Sequence, residues 1–485
     1  MKKALCLALI LLIAGPVMFV AGGFWVDNKK DDVVITTTTL YGDSEEAAGL
    51  MLRMASQWQD QLIWETEYTL GSGETASNFI FSSWGKYWPK TAVDEITVDY
   101  ITNWGTYDVG GNAVRGSFDP EGYPMSKIVQ AVMDRTEPGE RRTETVMLKD
   151  YYEFYPLEFH LQEYLADGQT LEVYYYESKG FFADFFQVPV GDDIEQIALE
   201  KDFSGNVIDV QCKGLSGVSF HDLSAFGQEG CYHAFYLENW ENDEMKGLGG
   251  TYGIYYYPYI EDTNRNRGLT VDPEQARIVS SLELGIELVD MALNESQDRL
   301  YLVTNEENVY YLNVFEADKG SLALSQKLPV RPDLAERDDG YAPRWAQLSV
   351  QENGMLLVWQ DGSFVFAVSN GDEMEVWEPG QFPSIQSFVF PSENVWAFDG
   401  QRLALASFVD WSSTSVNVAV STRAGLAWYG ICEAWYDTGE HSDDPGGEQE
   451  ISTFRISPPG SVIGNRSYRP RDIPVEEILG IWWER

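Results

Sequence analysis

Between residues 345 and 400 the chain carries four two-residue turn signals: Asn353-Gly354, Asp361-Gly362, Asn370-Gly371 and Asp399-Gly400. Asn-Gly and Asp-Gly pairs tolerate the positive φ of type I′ turns, whose twist matches that of two antiparallel strands. The stretch from Trp345 to Trp377 therefore reads as a four-stranded antiparallel meander. Upstream, Glu287 to Leu293, Leu300 to Thr304, Val309 to Phe315 and Ser321 to Leu328 give the same succession. Aligning Leu300 with Met355 also aligns Val309 with Phe364, a recurrence near 55 residues. That is longer than the roughly 40–50 residues of familiar propeller repeats, and no residue signature recurs with it.

The rest of the chain extends the pattern. Val33 to Leu40, Leu62 to Leu70, Ile96 to Thr102 and Thr170 to Tyr176 are rich in β-branched and aromatic residues and are separated by Gly, Asn and Asp clusters. Helix signals are few. Ser126 is placed to cap a short helix carrying Ile128, Val129, Val132 and Met133, which stops before Pro138-Gly139, and Val475 to Trp483 reads as a second, with Pro474 in its first turn. At 485 residues and 44% hydrophobic composition, the chain is long and apolar enough to bury a large core. The expected fold is mainly β: a β-propeller-like body of four-stranded antiparallel meanders over residues 33–485. The alternative is two β-sandwich domains divided within Glu261 to Glu274.

Before that body comes an uncharged run from Ala4 to Val26, which as a helix would be roughly 34 Å long and would cross a bilayer core of roughly 30 Å. Lys2 and Lys3 precede the run, while Lys29 and Lys30 are offset by Asp27, Asp31 and Asp32. The positive-inside bias then leaves the N-terminus in the cytoplasm and everything past Val26 outside. Residues 1–26 are read as a transmembrane signal anchor and 27–32 as a charged stalk. A cleaved signal peptide, using Ala21, Gly22 and Gly23, is the competing reading, but its apolar core would be shorter. Cys6 lacks the small residues expected before a lipidated cysteine. The expected location is a single-pass cell-membrane protein with an extracytoplasmic C-terminal body.

With 77 acidic against 33 basic side chains, a net charge of −44, the body repels phosphate backbones, which argues against a nucleic-acid partner. Asp437 to Glu450 holds no apolar residue and reads as a long exposed loop. Arg466, Arg469 and Arg471 form a local basic cluster, read as docking the C-terminal tail onto the body.

Cys212, His221, Cys231 and His233 are the most suggestive group for chemistry, with Cys231 and His233 on one face of a strand. Their spacing lacks the Cys-x-x-Cys knuckle of structural zinc sites. Two separate thiols come first, a Cys212–Cys231 disulfide second and zinc last; Cys432 is left as a core residue. Asp262, Asn264 and Asn266 begin like a calcium loop, but Arg267 stands where that loop needs Gly and Pro273 where it needs Glu, so an Asx-rich turn is the better reading. Ser349 to Trp359 has the ends of a sialidase box without its aspartate and threonine. Nucleophile-elbow, His-Glu-x-x-His, phosphate-loop and dinucleotide motifs are missing. The tracts Tyr174-Tyr175-Tyr176, Tyr255-Tyr256-Tyr257-Pro258-Tyr259, Phe181-Phe182 and Phe185-Phe186 read as strands whose alternate rings pack inward while the others cover a sheet face. No catalytic residue, metal ligand or cofactor is assigned.

The Lys-Lys start, single hydrophobic run, charged stalk and Thr-rich strand leading into Leu40-Tyr41-Gly42-Asp43 and Leu62-Ile63-Trp64 resemble uncharacterised signal-anchored proteins of low-GC Gram-positive bacteria. The resemblance covers the first seventy or so residues and implies the topology alone. The expected function is a membrane-anchored binding or scaffolding module for a cell-surface polymer or protein. The alternative is a carbohydrate-active hydrolase using paired carboxylates, which needs a protonated carboxyl group beside an ionised one in a cleft.

Overall fold

A computed structural model describes Phe24 and residues 33–58, 62–81, 93–100, 125–155, 157–164, 170–176, 190–214, 220–237, 253–261, 269–271, 275–282, 286–306, 309–329, 346–359, 362–370, 373–381, 395–408, 415–436 and 477–484. They are mainly β, and every strand pair is antiparallel. Among the described residues no helix is long and apolar enough to cross a membrane; residues 4–23 and 25–26 of the expected anchor, the stalk, the 437–450 loop and the Arg466–Arg471 cluster lie outside them.

β1 (Val33–Gly42) opens the body but belongs to its last sheet. β2 (Leu50–Trp58), β3 (Leu62–Thr69) and β4 (Thr75–Phe81) form one sheet, and β5 (Val93–Tyr100) begins another. After β6 (Arg141–Met147), β7 (Leu157–Tyr164) and β8 (Thr170–Tyr176) pair back onto β5 in the order β5-β7-β8. The passed-over β6 instead joins β9 (Ile194–Lys201) and β10 (Val207–Gly214) in a separate three-stranded sheet. β11 (Phe220–Phe226), β12 (Gly230–Leu237) and β13 (Gly253–Glu261) follow, with β14 (Leu269–Val271) and β15 (Arg277–Ser281) both on β13. Strands from both sides of residues 261–274 thus share one sheet, and the two-sandwich division does not fall there.

Two regular meanders come next. β16 (Glu287–Leu293), β17 (Arg299–Glu306), β18 (Val309–Glu316) and β19 (Leu322–Lys327) form the first. β20 (Ala346–Gln351), β21 (Gly354–Trp359), β22 (Ser363–Asn370) and β23 (Glu373–Val376) form the second, with β24 (Gly380–Gln381) also on β22. β25 (Val395–Phe398), β26 (Arg402–Phe408), β27 (Ser415–Thr422) and β28 (Gly425–Tyr436) make the last sheet, with β1 on the outer edge of β28. The C-terminal β29 (Glu477–Trp483) completes the sheet of β2, β3 and β4.

Sheets stack face to face, which is why several strands lose their alternation. In β21 all six residues are buried: Met355, Leu357 and Trp359 pack toward β16–β19, while Leu356 and Val358 pack toward β25–β28. β17 behaves likewise, with Leu300 and Leu302 against β11–β13 and Tyr301 and Val303 against β20–β22. A further seam joins β26–β28 to β2 and β29 through Val416, Val418, Trp428, Leu50, Leu52 and Ile481. Each such fully buried side chain stabilises the fold by roughly 1.5–3 kcal/mol. The first strands of the sheets also touch in turn: β5 meets β11, β11 meets β16, β16 meets β20 and β25 meets β29. Between β20 and β25, Trp396 Nε1–H donates to Ser349 Oγ (2.8 Å) and Gln351 Nε2–H to the Trp396 carbonyl (2.8 Å).

The expected helix at Val475 to Trp483 is corrected to strand β29. Ile478 and Ile481 are both buried at a helix-like spacing of three because the β2/β29 ladder slips one residue between Arg53 and Met54, and a bulge returns both to one face. The other helix forms as α1 (Ser126–Arg135), but Ser126 is its first residue rather than its cap. Met125, in a left-handed conformation, holds the cap position without a side-chain bond. Buried Ile128, Val129 and Val132 set α1 beside β9, and Lys201 Nζ donates to the carbonyls of Met133 and Thr136.

Candidate functional site

A cleft of about 680 Å³ opens between the β11–β15 sheet and the β16–β19 meander. Its walls are hairpin turns. In the β16–β17 turn, Asn294 Oδ1 accepts from the Arg299 N–H (2.9 Å), and Asn294 Nδ2–H (2.7 Å) and Ser296 Oγ–H (2.7 Å) donate to Asp298 Oδ1. Gln297 adopts φ 59°, a left-handed conformation uncommon outside glycine. Its Oε1 accepts from the Gln228 N–H at 2.7 Å, so the β11–β12 turn holds it in place. In the β18–β19 turn, Glu316 accepts from Ser321 Oγ–H (2.6 Å) and Lys319 Nζ–H (3.0 Å).

The floor is aromatic. Tyr232 and Tyr256 meet at 4.9 Å between ring centroids, tilted by 54°, and Tyr232 Oη–H donates to the Ala317 carbonyl (3.0 Å). Tyr256 lies across Gly230, where a Cβ would stand 2.6 Å from the phenol ring and 2.4 Å from the Tyr257 carbonyl oxygen. Glycine at 230 is therefore what lets the ring down onto the sheet. Over Tyr256 sits Arg277, its Cζ 4.6 Å from the ring centroid and one N–H directed at the Asp318 carbonyl at 3.3 Å. Burial raises the phenols of both tyrosines, Tyr232 to about 12.

Five carboxylates (Glu229, Glu295, Asp298, Glu316, Asp318) and three cations (Arg277, Arg299, Lys319) line this space. Hydrogen bonds from Asn294 and Ser296 hold Asp298 below the usual carboxylate range, and those from Ser321 and Lys319 do the same for Glu316. Both stay ionised and are poorly suited to donate a proton. Among the described residues, the raised carboxyl group lies elsewhere. Burial pushes Asp290, on β16, up to about 7, although its Oδ2 accepts from the Leu348 N–H (2.5 Å) and its Oδ1 from the Met291 N–H (2.8 Å). Among the described residues, the carboxyl group raised by burial and the cleft therefore do not coincide.

The group singled out from the sequence divides. Cys231 and His233 do share one face of β12, as expected, with Cys231 and His233 fully buried. Cys212 is on β10, in the separate sheet of β6, β9 and β10, and His221, on β11, pairs in register with Tyr236 on β12. Cys212, Cys231 and Cys432 are all buried, and no disulfide joins Cys212 to Cys231. No cluster of three or more metal-ligating side chains occurs among the described residues. His233 Nε2 instead meets Asp222 Oδ1 at 2.6 Å, and Tyr257 Oη lies 3.4 Å from His233 Nδ1. Ser349 and Trp359 of the sialidase-like stretch are structural: Trp359 is buried edge-on against Tyr310. Asp262, Asn264, Asn266, Arg267 and Pro273 lie outside the described residues, as do Phe181, Phe182, Phe185 and Phe186.

Sequence reasoning flagged the Tyr255 to Tyr259 tract, and the alternation holds: Tyr255 and Tyr257 are fully buried while Tyr256 faces the cleft. It missed the turn Asn294-Glu295-Ser296-Gln297-Asp298, whose run of turn-forming polar residues between two apolar strands was the available signal.

No protein-family model matches the chain, and no curated protein does. Among solved structures, the chain is similar to a candidate 6-phosphogluconolactonase from Bacteroides uniformis at 9% identity, over 78% of this chain and 94% of that one, with a TM-score of 0.29. A luciferin-regenerating enzyme matches at 10% identity, over 82% and 95%, with a TM-score of 0.25. The β-propeller domain of Cps50 from Myceliophteria thermophila matches at 12% identity, over 50% and 82%, with a TM-score of 0.21. None of these likenesses transfers an activity or a residue role.

Proposed function

We propose that this chain is a membrane-anchored, extracytoplasmic binding module whose body is a propeller of six sheets with one inserted α/β unit. The uncharged run from Ala4 to Val26 supports the anchor. The succession of touching first strands β5, β11, β16, β20, β25 and β29 supports the propeller, and so do the two ends of the chain, which each complete a sheet begun at the other. The three-stranded sheet of β6, β9 and β10, with α1 beside it, is then the insertion.

Binding rather than hydrolysis rests on one observation. The cleft's aromatic floor is fixed from below, while Asp298 and Glu316 are held ionised by their neighbours. Such a surface recognises a ligand, and neither of these two carboxylates is a proton donor for bond cleavage.

The test is protease treatment of intact cells producing the full chain with a C-terminal tag, with the size of the membrane-retained species read alongside. Digestion from outside with retention of an N-terminal membrane species is the expected result. A body protected until the membrane is broken overturns the reading.

A further inference from the structure

We propose that the cleft seats the arginine side chain of an extended basic peptide on the face of Tyr256, displacing Arg277; this rests on the binding reading above. The protein already shows the pose. Arg277 holds its guanidinium 4.6 Å above the Tyr256 centroid, within the range at which a cation is attracted to an aromatic face. Arg277 comes from the exposed end of β15, a strand with no buried residue, and its hydrogen bond to the Asp318 carbonyl is long at 3.3 Å. It is a self-ligand on a weak hold.

The ring beneath it is fixed. Gly230 gives Tyr256 its bed, Tyr232 braces it from the side, and Tyr232 is itself tied to the neighbouring meander through Ala317. The charge around the ring selects the sign of the ligand. Carboxylates outnumber cations in the cleft five to three, and the whole chain carries −44, so an incoming cation meets an attractive field and an anion a repulsive one. Arginine fits better than lysine because its flat guanidinium stacks on the ring while its edge donates to carboxylates.

The test titrates the full chain in detergent at physiological salt with the capped tripeptide glycine–arginine–glycine and with the same peptide carrying uncharged citrulline. The arginine peptide should bind at least about ten-fold more tightly. Tyr256→Leu, which leaves the net charge unchanged, should weaken it about five-fold or more, and Tyr256→Phe, which keeps the ring, should restore it. Arg277→Gln should tighten binding several-fold. Lys319→Gln, which removes the same charge from the same cleft but not from the ring, should tighten it clearly less than Arg277→Gln does. Equal affinity for the two peptides, an unchanged Tyr256→Leu or equal responses to the two glutamine variants overturns the inference. An outward-facing body with no arginine preference sinks this inference alone, whereas a cytoplasmic body sinks the reading on which it rests.

Discussion

His233 and Asp222 meet at 2.6 Å across the β11–β12 hairpin, at a position where the three following sheets each place a leucine. Tyr232 and Ala234 face the β16–β19 meander, so His233 faces the other way. The equivalent residues, second along the corresponding face of the second strand, are Leu302, Leu357 and Leu405, each buried in an apolar seam. One seam of the body thus carries a buried polar pair where its counterparts are oily.

His233→Leu should restore the common pattern locally yet destabilise the protein by about 3 kcal/mol, because Asp222 is left without the imidazole in a poorly hydrated place. Replacing both residues by leucine should recover most of that loss. Denaturant unfolding of the two single variants and the double variant measures the coupling, and an additive cycle would contradict the account.

Asp290 gives the body a pH dependence of predictable sign. Its folded pKa, about 7, lies above the unfolded carboxylate value of roughly 4, so across that interval the folded chain holds a proton that the unfolded chain releases. This contribution to stability is full below about pH 4, declines as pH rises and is lost above about 7. Asp290→Asn keeps an acceptor for the Leu348 or Met291 N–H and should flatten the midpoint of unfolding between pH 5 and 8. An unchanged slope would remove Asp290 as the cause.

Gly42 and Gly49 separate two costs of a side chain. Both have positive φ, 75° and 78°, but a Cβ at Gly42 would stand 1.9 Å from the Ala427 carbonyl oxygen, while at Gly49 nothing lies within 4 Å. Gly49→Ala should cost about 1 kcal/mol, the backbone strain alone. Gly42→Ala should cost at least twice as much, because the clash is with backbone of the paired strand β28. Thermal unfolding of the two variants reads the difference.

Cys212, Cys231 and Cys432 should resist an aqueous thiol reagent in the native protein and react once it is unfolded. All three are buried, and desolvation raises the Cys231 thiol and pushes Cys432 up to about 12. Rapid labelling of any of the three in the folded protein would contradict this burial.

The mainly β architecture was legible because its signals are local. The strands expected from Trp345 to Trp377 are those that form, although the turn between β20 and β21 is Glu352-Asn353, one residue before the expected Asn353-Gly354 pair, because Gly354 already pairs with Gln351 and neither Asn353 nor Gly354 has a positive φ. The 55-residue offset is in phase on the second strands, where Leu300 and Met355 both face the preceding sheet. It is one residue out on the third, where Tyr310, not Val309, matches the orientation of Phe364. Long-range pairing was not legible. Pro474-Val475-Glu476-Glu477 looks like a helix start, and only a partner at the far end of the chain, Leu50 opposite Trp483, makes the segment a strand. The cleft was hidden for the same reason: Tyr256, Gln297 and Lys319 lie on three separate turns or strands that only stacking brings together.

The placement of β1 bears on how the body would withstand tension. If the anchor proposed above holds the chain to a membrane, any tug on the body is transmitted through Val33, which lies opposite Tyr436 at one end of the β1–β28 ladder. When the pull runs along the strand, the rungs from Val33 to Gly42 share the load instead of parting one by one, and the Trp428 Nε1–H to Thr39 Oγ1 bond (3.2 Å) adds a side-chain rivet near the far end. The strand nearest the tether would then be the buckle that keeps the assembly shut under strain.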